Sequence, residues 1–188
     1  MPVRNLIFVA FVEPVAEGQV FPRTDWPLHI TLVRFDVRFD AGSQDSTDVT
    51  ERIAGLAGGP ATTALGAGLT VGKDAGFGRN GSVPVNLVQP HPALQELHEQ
   101  LVQAVVDAGG RILTPHHTLT GYRPHVSHQA GTNQAGAAPT SADTEAKRLH
   151  PGDAVVLDRI ALVDMAPDGD HTIRRILRLW SRDVKARR

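Results

Sequence analysis

The sequence of 188 residues contains no cysteine. This excludes a disulfide scaffold, a thiolate nucleophile, cysteine-ligated zinc and iron–sulfur clusters. It also lacks any apolar run near the ~20 residues that a membrane-spanning helix requires. The charges nearly cancel, with 19 Lys and Arg against 20 Asp and Glu, so the strongly basic surface that grips a long polyanion is absent. What the chain does contain is nine histidines, and imidazole is the side chain that exchanges protons near neutral pH.

The overall composition is that of a globular protein. Hydrophobic residues make up 41% and charged residues 21%, and the length suits one domain or two small lobes that share a core. The apolar run Leu6–Val12 ends at Glu13-Pro14 and lacks the basic segment and cleavage site of a signal peptide. We therefore expect a soluble, cytoplasmic monomer, with one domain over 1–188 and no membrane or obligate protein partner.

The apolar periodicity predicts an α+β fold with a mostly antiparallel sheet, because strands and helices do not alternate regularly. The turn 76–81 joins two strands in a hairpin, and Gly58-Gly59-Pro60 is expected to end the first helix. A small-residue stretch over 131–141 predicts a mobile loop, and 182–188 forms a basic tail. Strands are predicted at Asn5–Val12, Leu28–Phe35, 61–71, 83–87, His125–Gln129, Val155–Val163 and Thr172–Trp180, and helices at Asp45–Ala57, 92–108 and 141–149.

Two predicted strands share a pattern of histidine, apolar residue and hydroxyl residue. The pattern occurs in PLHIT (27–31) and in RPHVS (123–127). Because side chains alternate along a strand, the imidazole and the hydroxyl of each motif lie on one face, about 7 Å apart. A third match, HHT at 116–118, lies in a turn-rich segment. The candidate catalytic residues are therefore His29, Thr31, His125 and Ser127.

This pair of motifs resembles the 2H phosphoesterase superfamily, which includes the 2′-5′ RNA ligase-like proteins and the cyclic phosphodiesterases. The strings LHITLVRF and YRPHVSH carry the resemblance. It implies two pseudo-symmetric lobes of mostly antiparallel sheet, with helices on the outer faces and both motifs in a central groove. It also implies a metal-independent hydrolase of cyclic or 2′-5′ phosphodiesters, with no cofactor and with possible reverse RNA ligase activity.

The chemistry of such a reaction suits two imidazoles. One histidine removes a proton from water and the other gives a proton to the departing oxygen, and each transfer is typically worth about 10²–10⁴ in rate. The two hydroxyls donate hydrogen bonds to the non-bridging oxygens. Our assignment is His125 as the base and His29 as the acid. The substrate is expected to be a small nucleotide or an RNA terminus with a cyclic or 2′-5′ phosphodiester.

Candidate binding residues flank the motifs and the hairpin turn. Arg123 could contact phosphate, and Tyr122 could stack or offer its hydroxyl group. Arg34 alternates with Ile30 and Leu32 and is expected to point away from the groove. The candidate substrate-binding residues are Tyr122, Arg123, Phe77, Arg79 and Lys73.

Two other interpretations remain open. A zinc site could use the histidines that cluster from 116 to 128, although no acidic residue lies among them. A non-catalytic RNA- or nucleotide-binding module on the same fold is suggested by the basic C-terminus. Its cations are Arg174, Arg175, Arg178, Arg182, Lys185, Arg187 and Arg188.

Overall fold

A computed structural model of the chain describes residues 3–38, 45–127 and 149–182. Within these ranges the chain forms ten strands and two long helices. The helices are α1 (Asp45–Ala64) and α2 (Pro92–Asp107). The strands are β1 (Val3–Phe11), β2 (Val20–Pro22), β3 (His29–Arg38), β4 (Gly68–Phe77), β5 (Val83–Val88), β6 (Arg111–Ile112), β7 (His125–Ser127), β8 (Ala154–Val156), β9 (Arg159–Asp164) and β10 (Ile173–Ser181).

The strands lie in the order β2-β10-β9-β1-β3-β7-β5-β4-β8, and β6 adds to the far end of β3. Every pairing among the described strands is antiparallel. The sheet has two halves that meet at β3 and β7, the strands with the two histidine motifs. This arrangement confirms the predicted α+β fold.

Both helices pack on one face of the sheet and bury the main core. The i, i+3, i+4 spacing of apolar residues in α2 directs Leu94, Leu97, Leu101 and Val105 into it. The sheet contributes Phe8, Ile30, Phe35 and Val126. The opposite face of the sheet is thus left open to form the groove.

A smaller apolar cluster lies on that second face, under the first half of the sheet. Val9 and Phe11 from β1 pack there with Phe21, Trp26 and Val163. The rings of Trp26 and Phe11 from this cluster contact the His29 ring, so the cluster supports the first residue of β3.

Helix α1 is longer than the sequence predicted. It runs through Gly58-Gly59-Pro60 to Ala64 instead of ending near Ala57. Ala57, Ala61 and Ala64 are all buried in the main core, and this burial outweighs the hydrogen bond that Pro60 cannot donate. The strand predicted at 61–71 consequently begins only at Gly68.

The hairpin and most other strands were predicted correctly, with two further corrections. The strand predicted at Val155–Val163 is two strands, β8 and β9, which pair with opposite halves of the sheet. The short strands β2 and β6 were not predicted. The loop 131–141, the helix 141–148 and the basic residues 183–188 lie outside the described residues.

A β-bulge on β3 reverses the prediction for Arg34. Phe8 pairs with Val33, but Val9 pairs with Thr31, so Leu32 is an extra residue in the ladder. Leu32 and Val33 are both buried in the main core. Beyond the bulge the alternation is inverted, and Arg34 lies on the groove face instead of pointing away from it.

Candidate active site

The two histidine motifs are adjacent because β3 and β7 pair antiparallel, with Ile30 opposite Val126. One residue to either side, the same register puts His29 beside Ser127, and Thr31 beside His125. Ile30 and Val126 are completely buried on the helix side. The imidazoles and hydroxyls of the two motifs therefore lie on the groove side.

Both imidazoles are held in the same way. Nδ1 of His29 lies 2.8 Å from the Pro27 carbonyl oxygen, and Nδ1 of His125 lies 2.8 Å from the Arg123 carbonyl oxygen. A carbonyl only accepts, so Nδ1 must carry the proton in each ring. The Nε2 atom of each neutral ring is consequently left with a lone pair, which suits a proton acceptor.

His29 lies in an aromatic environment. Its ring is 4.4 Å from the Trp26 ring and 6.0 Å from the Phe11 ring, centroid to centroid. Burial lowers the pKa of His29 from 6.5 to about 4, against the raising effect of the Pro27 carbonyl, and the neighbouring His125 lowers it further. His29 is therefore neutral in the free protein at pH 7.

His125 is covered by the tip of the β4–β5 hairpin. The Phe77 ring meets it edge-on with centroids 4.3 Å apart, and the Arg123 guanidinium lies 5.4 Å from the centre of the Phe77 ring. Burial lowers the pKa of His125, against the raising effect of the Arg123 carbonyl, and the electrostatic influence of the Arg123 and His117 side chains lowers it further. This site favours a neutral imidazole until an anion binds.

A groove of about 650 Å³ opens beside the motifs. It brings together five of the predicted site residues, which are Thr31, Phe77, Tyr122, Arg123 and His125. Lys73 and Arg79 do not line it, since Arg79 lies in the 3₁₀ turn beyond Phe77. His29 and Ser127 lie beside Thr31 and His125 through the strand pairing.

Tyr122 is tied to the first motif. Its hydroxyl donates to the Thr31 carbonyl at 3.1 Å, and burial raises the pKa of this phenol, which keeps the donor proton in place. Its ring also lines the groove. Tyr122 thus connects the segment before β7 to the backbone of β3.

A fully buried histidine supports Tyr122 and was not predicted as part of the site. Nδ1 of His98 donates to the Leu32 carbonyl (2.7 Å), and Nε2 accepts from the Leu119 amide (2.8 Å). Its ring stacks on Tyr122. The only sequence signal was a polar residue on the apolar face of α2, between Leu94 and Leu101.

Four further polar groove residues were missed by the sequence reasoning: Arg34, Thr114, His117 and Thr118. The adjacent apolar residues Leu32 and Val33 could have indicated the bulge that turns Arg34 inward. Thr114, His117 and Thr118 belong to the turn-rich segment that contains the third histidine match, HHT at 116–118.

The zinc interpretation gains no support from the described residues. Within 3–38, 45–127 and 149–182, no group of three His, Asp or Glu side chains could hold a metal ion. His128, a member of that predicted cluster, lies outside these ranges. Neither described helix is long and apolar enough to cross a membrane.

Comparison with solved structures shows which known fold this chain shares. A phosphoesterase is 16% identical, with a TM-score of 0.57 over 96% of this chain and 98% of that chain. E. coli LigT in complex with 3′-AMP is 16% identical, with a TM-score of 0.56 over the same shares of the two chains. E. coli LigT in complex with NADP⁺ is 16% identical, with a TM-score of 0.53 over 95% of this chain and 96% of that chain. The fold is that of the LigT-like phosphoesterases.

The sequence itself identifies the family. The model of the 2′-5′ RNA ligase superfamily matches residues 10–169, a range that includes both motifs. No curated protein matches the sequence. The chain belongs to the 2′-5′ RNA ligase superfamily.

Proposed function

We propose that this protein is a phosphodiesterase that hydrolyses a cyclic or 2′-5′ phosphodiester of a nucleotide or RNA end by paired-histidine acid–base catalysis. The observation that supports it best is the antiparallel pairing of Ile30 with Val126, which makes the two motifs neighbours. Each imidazole has its Nδ1 on a backbone carbonyl. Each therefore has Nε2 free for proton transfer.

In the proposed reaction a water oxygen attacks phosphorus and the bond from phosphorus to a ribose oxygen breaks. One Nε2 takes a proton from the water, and the other gives a proton to the leaving oxygen, so the protons balance over one turnover. Thr31 and Ser127 donate hydrogen bonds to the non-bridging oxygens, whose charge must be held in the transition state. No step requires a metal or another cofactor.

The imidazole that acts as the acid must carry a proton, but burial disfavours the protonated form in the free protein. Because burial lowers the pKa of both imidazoles, the acid is protonated when the phosphate anion binds and raises its pKa. Burial keeps His29 neutral at pH 7, with a pKa of about 4, so its Nε2 is available to accept a proton in the free protein. We therefore propose His29 as the base and His125 as the acid, the reverse of the sequence-based assignment.

The proposed substrate is a small nucleotide or an RNA terminus. LigT, which shares the fold, has been solved in complex with 3′-AMP, NADP⁺ and ATP. Phe77, Tyr122 and Arg123 line the groove and are proposed to contact the substrate. Lys73 and Arg79 remain proposed contacts only for a ligand that extends past the hairpin. Ligation would be the reverse reaction.

We also propose that residues 1–188 act as one two-lobed domain. The protein would act as a monomer in the cytoplasm, without an obligate protein partner. The second candidate function, a non-catalytic RNA- or nucleotide-binding module, gains little from β10. Arg174 is buried there, and Arg175 and Arg178 are half-buried and ion-paired with Asp168 and Glu51 respectively.

Incubation with an RNA that ends in a 2′,3′-cyclic phosphate, followed by mapping of the product phosphate, tests the function. We expect hydrolysis by the wild type and a loss of about 10²–10⁴ in rate for His29→Ala and for His125→Ala. His171→Ala, which removes an exposed histidine from a turn, is the control and should keep the wild-type rate. Binding without product would favour the non-catalytic module, and a wild-type rate in His29→Ala would overturn paired-histidine catalysis.

A further inference from the structure

The groove extends along β3 beyond the two motifs, and Arg34 lies in this extension. The bulge at Leu32 turns Arg34 to the groove face, three residues past Thr31. Because Leu32 is the extra residue, the advance from Thr31 to Arg34 matches that from Val9 to Ile7 on β1, about 7 Å at the usual rise. In the described parts of the chain the Arg34 guanidinium has no hydrogen-bond or ion-pair partner, although the side chain lines the groove. An arginine so placed is available to a ligand.

The segment 114–118 forms the facing wall of this extension. The Leu113 amide donates to the Arg34 carbonyl at 3.0 Å, which brings the next residue, Thr114, beside Arg34. His117 and Thr118, from the same segment, also line the groove. Their side chains add an imidazole and a hydroxyl group to the groove lining.

This wall is anchored. Leu119 adopts a left-handed backbone (φ 53°), which is uncommon for a leucine, and the buried His98 accepts its amide hydrogen bond. Gly121 allows a close approach to the His116 carbonyl, since a Cβ there would lie 2.4 Å from that oxygen. The wall is thus held in place before any ligand binds, which lowers the cost of binding.

The groove lining favours an anion. Arg34 and Arg123 are its two arginines, His117 and His125 its two histidines, and no described lining residue is acidic. Arg123 packs on Phe77 beside His125, at the motif end. A phosphodiester at the motifs therefore uses Arg123, and the donors near Arg34 are left for a second anionic group.

We propose that Arg34, with His117 and the hydroxyls of Thr114 and Thr118, binds a second phosphate group of the substrate. The preferred substrate is then a nucleotide with two phosphates, one at the motifs and one at the Arg34 end of the groove. This second phosphate is either a 5′-phosphate of the same nucleotide or the linking phosphate of an RNA end. The inference rests on the proposed function only for the position of the scissile phosphate.

Calorimetry with product-like ligands tests this without any turnover. We expect the wild type to bind adenosine 3′,5′-bisphosphate about tenfold or more tightly than adenosine 3′-monophosphate, because a charge-assisted hydrogen bond to phosphate adds roughly this factor. Arg34→Gln should abolish most of this preference. Arg34→Lys, which keeps the charge but loses the forked donors, should retain only part of it. Arg38→Gln, on the same strand but outside the groove lining, is the matched control and should keep the full preference.

A dinucleotide with a 3′-terminal phosphate distinguishes the two sources of the second phosphate. Tighter binding than the bisphosphate assigns the site to an RNA end, and weaker binding assigns it to a mononucleotide. Equal affinity of the wild type for one and two phosphates, or an unchanged preference in Arg34→Gln, would overturn the proposal. Those results leave hydrolysis at the motifs intact, whereas a wild-type rate in His29→Ala would overturn the proposed function and leave the binding preference measurable.

Discussion

The rings of His98 and Tyr122 are stacked in parallel planes, with centroids 3.8 Å apart and an interplanar angle of 1°. One ring comes from the buried face of α2 and the other from the segment before β7. The Tyr122 hydroxyl continues the contact to the Thr31 carbonyl. These contacts connect α2, the segment before β7 and the first motif. Both ring nitrogens of His98 also make hydrogen bonds.

His98→Ala should lower the free energy of unfolding by about 3 kcal/mol, because it leaves the Leu32 carbonyl and the Leu119 amide without their partner. It should also raise KM, because the wall over 114–118 loses its anchor. His91→Ala, which removes a single hydrogen bond at the start of α2, should cost only about 1 kcal/mol. Urea unfolding measures both, and equal costs would contradict the role given to His98.

The pH dependence of kcat/KM should be bell-shaped with its maximum below pH 6.5. Catalysis needs one imidazole neutral and the other protonated, and kcat/KM reports the pKa values of the free enzyme. Because burial lowers the pKa of both His29 and His125, both limbs of the bell move to lower pH. Initial rates at low substrate from pH 4 to 9 measure this. A rate that still increases between pH 7 and 8 would show that these imidazoles are not the acid and base.

Stability should also depend on pH through His29. The folded-state pKa of about 4 is below the ordinary value of 6.5, so between these values the unfolded chain binds more protons than the folded one. The free energy of unfolding therefore rises with pH across this window and decreases on acidification, by about 3 kcal/mol at pH 4 for this group. Urea unfolding of the wild type and of His29→Gln at pH 4.5 and 7 measures it. The variant should lose less stability at pH 4.5, and identical losses would contradict a buried neutral His29.

The hairpin tip over His125 depends on Gly76. A Cβ at this position would lie 2.8 Å from the Gly81 carbonyl oxygen, whereas a Cβ at Gly68 on the same strand would meet nothing within 4 Å. Gly76→Ala should cost about 1–3 kcal/mol and reduce the rate, because the turn opens and the adjacent Phe77 moves from His125. Gly68→Ala should change neither stability nor rate. Thermal unfolding and cyclic-phosphate hydrolysis compare the two variants. If Gly76→Ala changed neither stability nor rate, the turn would not be tight at this position.

The parts of the fold that local pattern determines could be predicted from the sequence. The two motifs have the alternation of strand residues, α2 has a regular apolar face, and the hairpin has a glycine-rich turn. The end of α1 could not be predicted, because the burial of Ala61 and Ala64 depends on distant strands. The division of 155–163 into β8 and β9 likewise depends on two different pairing partners.

The candidate groove residues that were predicted lie on the motif strands, directly before β7, or at the tip of the hairpin. The neighbouring positions of His29 and His125 followed from recognising the pair of motifs, but the pairing of Ile30 with Val126 is a long-range contact. Arg34 was placed on the wrong face because a bulge arises between two strands and not within one. His98 was missed because both of its hydrogen-bond partners are distant in sequence.

The bulge at Leu32 divides β3 into two segments that follow opposite parity. Before the bulge, even-numbered residues such as Ile30 face the helices. After the bulge, even-numbered residues such as Arg34 face the groove. Leu32 is the extra residue, so its removal would leave Arg34 opposite Ile7 on the groove face. If Leu32 instead paired with Phe8, the bulge would disappear, Val33 would turn to the groove and Arg34 would turn away from it, with His29 and Thr31 unaltered. A change of register at this one point is therefore enough to alter the far end of the groove independently of the motif end.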